Sequence, residues 1–189
     1  MLRTALALSL AAGVALLAQP ALAQGTLRIG MTASDIPLTT GQTDQGGEGM
    51  RFMGYTVYDA LINWDLSSAD KPSDLKPGLA TAWAVDASDK TKWTFTLREG
   101  VKFHDGTEFT AEDVAAHYNR ILDPEQKSRS RSFISVIQGA EALDRYTVRF
   151  TLAHPWGAFL PYLAATSMSG PIPARANVEA GEQNRRPIG

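Results

Sequence analysis

Apolar and polar positions alternate along several stretches of this chain, and the period of the alternation changes at recognisable places. Leu27, Ile29 and Met31 alternate with Thr26, Arg28 and Gly30, which predicts a first strand over Thr26–Met31. A polar, glycine-rich run follows from Thr32 to Gly49. Between Met50 and Leu61 the apolar residues Phe52, Met53, Val57, Tyr58 and Leu61 recur at helical spacing, so a helix is expected there. Asn63 to Pro77 is mostly polar, is broken by Pro72 and Pro77, and reads as a connection. Trp83 and Val85 suggest a short strand. Trp93, Phe95 and Leu97 alternate with Thr94 and Thr96 in the next one, and the turn-like Asp86–Lys90 between them predicts a hairpin.

The stretch from Trp93 to Val114 packs a strand, a turn, a short strand and a capped helix into immediate succession. Asp105-Gly106 is a turn pair, because glycine accepts the positive φ that tight hairpins need. Thr110 stands three residues before Asp113, the spacing at which the two can cap the exposed N–H groups of a helix. Val114, Ala115, Tyr118, Ile121 and Leu122 fall on one face of that helix, and Asp123-Pro124 ends it. Gln126–Ser132 reads as a surface loop. A weak strand around Val136 and a clear one through Tyr146, Val148, Phe150 and Leu152 are separated by Leu143-Asp144-Arg145. Trp156–Leu163 is expected to form a short apolar helix weakened by Pro161, and the chain from Ser167 onward is rich in proline, glycine and charge.

The first residues belong to a different category. Arg3, an apolar run from Ala5 to Ala18, and the small-x-small triplet Ala21-Leu22-Ala23 make a secretory signal peptide, with cleavage expected after Ala23. The run is shorter than the ~20 residues that span a bilayer. There is no cysteine, which excludes disulfides and a lipidated N-terminal cysteine, so stability must come from an apolar core. Cleavage removes one of the 18 basic residues and leaves 17 against 20 acidic ones. That mild acidity offers no basic face for nucleic acid.

Candidate chemistry is sparse. His104, His117 and His154 fall in different elements without the spacing of metal ligands, and no Walker loop, G-x-G-x-x-G or G-x-S-x-G is present. Neither a metal nor a cofactor is expected. Asp105, Glu108, Glu112 and Asp113 cluster in sequence, and paired carboxylates are the equipment of glycoside hydrolysis. Here Asp105 is explained by the turn, Asp113 by helix capping, and Glu108 and Glu112 by solvation. Trp83, Trp93 and Trp156 lie on alternating or apolar faces and are expected in the core. The glycine loop Gln42–Gly49 is the better site candidate: Gly46 and Gly47 let backbone groups approach a ligand, and Glu48 can pair with a cation such as a peptide amino terminus. A plain surface loop explains the same residues equally well.

The runs Pro77-Gly78-Leu79-Ala80-Thr81-Ala82-Trp83, Trp93 to Gly106, and Phe109-Thr110-Ala111-Glu112-Asp113-Val114 together resemble the extracytoplasmic solute-binding proteins of family 5, the dipeptide and oligopeptide receptors of bacterial ABC importers. Tyr58-Asp59-Ala60-Leu61, Trp64-Asp65, the strand before His154-Pro155 and the terminal Pro187-Ile188-Gly189 fit as well. The resemblance implies an α/β periplasmic binding fold of the peptide-binding type, present incompletely. Residues 24–63 would begin the first lobe, 64–171 would form a small inserted α/β domain, and 172–189 would return toward the first lobe, where a continuation of the chain is expected. It also implies a monomeric, non-enzymatic periplasmic receptor that closes two lobes on a solute, peptides foremost, and delivers it to an inner-membrane ABC permease. Gly46, Gly47 and Glu48 fall where the family's ligand cleft begins. The readings set against it are a small secreted glycoside hydrolase using acidic residues and a structural interaction domain.

Overall fold

The structure, a computed structural model, describes Thr26, Arg28 and residues 55–167, 169–182 and 186–189. The chain divides into two compact units, residues 1–30 and 31–189. Of the first, Thr26 and Arg28 are described, both exposed and outside regular structure. The expected signal peptide, the rest of the first strand and the glycine loop lie outside the described residues.

The second unit is mixed α/β. Its elements in order are a helical turn α1 (Tyr55–Val57), strands β1 (Ile62–Trp64), β2 (Leu75–Pro77), β3 (Ala80–Val85) and β4 (Lys92–Leu97), helix α2 (Ala111–Leu122), strands β5 (Ile137–Asp144) and β6 (Thr147–Leu152), and the short helices α3 (Phe159–Tyr162) and α4 (Arg175–Glu179). β1 and β2 pair with each other, and the other four strands form an antiparallel sheet in the order β3-β4-β6-β5. The alternation in the sequence decides which face is covered. Phe95, Leu97, Val148, Phe150 and Leu152 are buried, while Thr96 between them is exposed.

Helix α2 covers that face with Ala111, Val114, Tyr118 and Ile121. The Tyr118 ring meets Phe150 edge-on at 4.9 Å, and Phe150 in turn meets Phe95 at 5.4 Å and Phe159 of α3 at 5.5 Å. Edge-to-face pairs of this kind add about 0.5–1.5 kcal/mol each beyond the area they bury. Trp83, Trp93 and Trp156 pack against this core, as their positions predicted. The end of α2 is tied to the sheet edge by Asn119, whose amide donates to Ala140 O (2.8 Å) and accepts from Ala140 N (3.0 Å). A side chain thereby occupies main-chain groups of an edge strand that would otherwise invite another strand.

Several expectations need correction. The helix expected over Met50–Leu61 is complete by Val57, because Ala60, Leu61 and Ile62 are fully buried and their main chain is committed elsewhere. Leu61 O accepts from Gly78 N and Ala80 N, both at 3.1 Å, and Ala60 O from Leu79 N at 2.8 Å. A Cβ on Gly78 would lie 2.4 Å from Ala60 O, so this crossing requires glycine. Asn63–Pro77 is not a plain connection, since it contains most of the β1–β2 pair. The weak strand near Val136 becomes the eight-residue β5, and the helix expected over Trp156–Leu163 shrinks to Phe159–Tyr162. The tail contains α4.

Replacing Phe150 by Ala should cost about 3–5 kcal/mol in urea unfolding, because three ring contacts are lost together. Asn119→Ala should cost about 1 kcal/mol by the same measurement, since it removes a paired donor and acceptor at a partly exposed site.

Candidate functional site

Three segments far apart in sequence converge on one open cleft of about 410 Å³. They are Tyr55–Asp59, the hairpin Val101–Phe109, and the C-terminal pieces around Ile172 and Gly189. The hairpin is built by local chemistry. Phe103 N donates to Thr107 O (2.8 Å), Phe109 N to Val101 O (3.0 Å), and Gly106 takes φ 86° at the turn. Asp105 Oδ1 accepts from the N (2.9 Å) and Oγ1 (2.6 Å) of Thr107, and the hydroxyl contact is the larger cause holding its carboxyl below the usual range. Phe103 and Phe109 are buried and meet edge-on at 5.9 Å, which fixes the hairpin to the core.

The other two segments are held by their main chains. Ile172 N donates to Asp59 O (2.9 Å), and Ala60 N donates to Asp59 Oδ1 (2.9 Å). His104 N donates to Gly189 O (2.8 Å), while Gly189 N donates back to His104 Nδ1 (3.2 Å). Tyr58 is buried, and burial pushes its phenol far above its ordinary range, so it stays neutral. Among the described residues the rim carries Lys102 as an exposed cation and Asp59 as an exposed carboxylate. Apolar walls with a few polar groups and main-chain atoms suit non-covalent holding of a small polar molecule.

Gly46, Gly47 and Glu48 lie outside the described residues. The segment that follows them, Tyr55–Asp59, lines the cleft. Lys102 and His104 were not singled out as site residues by sequence reasoning, because their place depends on partners more than forty residues away; the signal was the turn motif Phe103-His104-Asp105-Gly106 itself. The three histidines stay apart in role: His117 is buried on α2 with Nε2 2.9 Å from Ser169 O, and His154 Nδ1 is 3.2 Å from Pro155 O. Among the described residues, no three His, Asp or Glu side chains gather so as to hold a metal ion.

Asp113 takes the capping role expected of it, its Oδ2 accepting from Thr110 N (2.9 Å) and Oγ1 (2.8 Å). Glu108 and Glu112 are not merely solvated. Glu108 accepts from the Tyr146 hydroxyl and pairs with Arg145, and Glu112 pairs with Arg175 at 3.3 Å. The Tyr146 contact first, and then Arg145, hold the Glu108 carboxyl below its ordinary range. A glycosidase acid needs the opposite shift. A second groove of about 340 Å³ lies between α2 and α4 and is lined by Asp113, His117, Arg120, Arg175 and Glu179. It is the more enclosed of these two concavities, and Pro173, which lines it, directly follows Ile172 of the first cleft.

The family model described as bacterial extracellular solute-binding proteins, family 5 Middle, matches residues 74–189. The glutathione-binding protein GsiB of Escherichia coli K12 is 40% identical over 108 residues, covering 56% of this chain and 21% of that protein. Di/tripeptide-binding protein 2 of Pseudomonas aeruginosa is 30% identical over an alignment of 212 positions, covering 97% of this chain and 37% of that protein. The solved structure of MoaA from A. tumefaciens R10 in complex with mannopinic acid superposes with a TM-score of 0.70 at 32% identity, covering 81% of this chain and 31% of that one. The chain thus spans between 21% and 37% of the length of these curated relatives. Their names describe binding proteins rather than enzymes.

Thr107→Val should let the Asp105 carboxyl titrate closer to its ordinary range, as followed by carboxyl NMR. The lowered value means that the turn's contribution to stability is present above the ordinary carboxylate range and is lost as pH falls through the lowered one. In the variant that contribution should be smaller, and its loss should be complete at a higher pH.

Proposed function

The chain belongs to the bacterial extracellular solute-binding proteins of family 5, its mixed α/β fold is part of a periplasmic binding fold of the peptide-binding type, and from this premise we propose that it is the N-terminal portion of an ABC importer's solute receptor. In this reading residues 1–23 direct export, residues 24–63 begin one lobe, 64–171 form the inserted domain, and 172–189 lead back to the lobe. The receptor works in the periplasm as a monomer, performs no chemistry, has no business with nucleic acid, and hands its solute to an inner-membrane permease. A di- or tripeptide is the solute class favoured, because several relatives are named for glutathione, D,D-dipeptide or di/tripeptide binding.

The observation that carries this reading is the cleft at which Tyr55–Asp59, the hairpin and Gly189 meet. It supplies one wall, with Gly46, Gly47 and Glu48 leading into it along the chain. Closure of a second lobe over that wall would provide the remaining contacts, and the free energy of those contacts would favour the closed state. Asp59 and Lys102 at the rim offer opposite charges for the two ends of a zwitterionic peptide.

One wall alone should hold a peptide weakly. We expect a panel of di- and tripeptides added to residues 24–189 to shift the amide resonances of Tyr55–Asp59 and Lys102 with affinity no better than millimolar. Micromolar binding in calorimetry, shifts confined to the groove between α2 and α4, or turnover of a glycoside would overturn the proposal.

A further inference from the structure

No carboxylate occurs in the sequence between Glu125 and Glu141, yet Lys127, Arg129 and Arg131 all fall in that interval. In a chain with fewer basic than acidic residues, this concentration makes a local positive field. The main chain there is shaped by short-range bonds. Asp123 Oδ1 accepts from Glu125 N (3.0 Å), Lys127 N donates to Pro124 O (3.2 Å), and Lys127 takes φ 50°. That left-handed conformation, uncommon for residues other than glycine, turns the chain sharply after α2. Ser130 N then donates to Ser128 Oγ (3.2 Å), and a second short turn closes over Arg131–Phe133.

The two turns enclose an open concavity of about 550 Å³ to which Lys127, Ser128, Arg131, Ser132, Ser135 and Gln138 contribute, and among the described residues no carboxylate lines it. Arg131 is anchored, its Nε donating to the carbonyl of Leu122 (2.8 Å), the last residue of α2. Its two terminal amino groups and the Lys127 ammonium have no partner among the described residues. Ser128 Oγ accepts from Ser130 N and still has its own proton to donate. An anchored guanidinium, an ammonium and hydroxyls, with no negative charge in the lining, suit a phosphate-type anion. The next side chain points to the kind of molecule that carries such an anion. Phe133 closes the same turn, is 54% exposed, and lines a separate open concavity with Pro161 and Tyr162. Tyr162 is braced there by Trp156, with ring centroids 4.7 Å apart. Cations followed directly by an exposed aromatic match an amphiphile with an anionic head.

We propose that Lys127, Arg131 and Phe133 form a site for the headgroup of an anionic phospholipid at a membrane surface. Lys127 and Arg131 take the phosphodiester, and Phe133 reaches toward the apolar part of the lipid. The surface shares no lining residue with the cleft at Tyr55–Asp59, so it adds a contact separate from solute binding. It would hold a receptor of the kind proposed above beside the membrane of its permease, but the lipid contact itself does not depend on that reading.

The test is an NMR titration of the full chain with three separate probes: dihexanoyl phosphatidylglycerol below its critical micelle concentration, dihexanoyl phosphatidylcholine, and inorganic phosphate. Soluble lipids are chosen because the apolar run from Ala5 to Ala18 is expected to bind vesicles by itself. The readout is the amides of residues 127–138. Phosphatidylglycerol should shift them more tightly than phosphatidylcholine does, and raising the ionic strength from about 0.01 M to about 0.15 M should erode that preference. Lys127→Gln and Arg131→Gln should each weaken the phosphatidylglycerol response about threefold, the scale of a solvent-exposed ion pair, with the amide spectrum unchanged elsewhere. Phe133→Ser should weaken the lipid response and leave that to inorganic phosphate as it was. Equal affinity for the two lipids, or indifference to both glutamine variants, overturns the charge recognition. Inorganic phosphate bound as tightly as phosphatidylglycerol, with Phe133→Ser without effect, reveals a free-anion site and overturns the lipid assignment. Shifts confined to Tyr55–Asp59 overturn the location. No peptide is present in any arm, so failure of the lipid site and failure of the receptor function are distinguished.

Discussion

The Phe150 ring is the point on which the sheet, the long helix and the short helix after β6 all bear. It sits fully buried in β6, the strand between β4 and β5, and its edges meet Phe95, Tyr118 and Phe159. Those three partners come from β4, α2 and α3, elements with no local reason to adjoin. Because the chain has no disulfide to impose that arrangement, burial of aromatic surface on one sheet face must do so. The opposite face follows from the same pleat. Glu141 and Arg149 stand directly across from each other there, paired at 2.7 Å and exposed to solvent.

What was legible in the sequence was what local pattern controls. Trp93, Phe95 and Leu97 declared β4, and Val148, Phe150 and Leu152 declared β6, because period two needs nothing beyond the strand itself. Helix α2 was legible at both ends, with Thr110 and Asp113 at its start and Asp123-Pro124 at its finish. The helix expected up to Leu61 failed for a long-range reason. Its apolar residues suit a helix face equally well, but the carbonyls of Ala60 and Leu61 are claimed by residues 78–80. The β1–β2 pair was missed because it is only three residues on each side, too short for any period to show.

The same division runs through the cleft. Asp105 was readable as a turn residue, since its partner Thr107 is two positions away. Glu108 was misread as solvated, because Tyr146 and Arg145, which hold it, are contributed by the distant turn between β5 and β6. His104 was weighed in the sequence only as a metal ligand and set aside on spacing. Its partner is a main-chain amide 85 positions away, and a main-chain partner leaves no mark in side-chain pattern. The glycine loop with Gly46, Gly47 and Glu48 remains a proposal on the sequence's own terms.

The acidic residues also bear on why holding a solute fits this surface better than transforming one. General acid catalysis at neutral pH requires a carboxyl kept protonated by burial or by a neighbouring negative charge. Asp105 and Glu108 experience the reverse: hydroxyl donors and, for Glu108, a guanidinium favour the ionised form. A carboxylate secured in this way is a poor proton donor and a good structural fastener, and here it fastens the hairpin that presents Lys102 and His104. Polarity in this region therefore serves geometry. Fixed carboxylates hold the hairpin, the hairpin and main-chain bonds hold the walls, and among the described residues the cleft that results carries main-chain groups, Lys102 and Asp59.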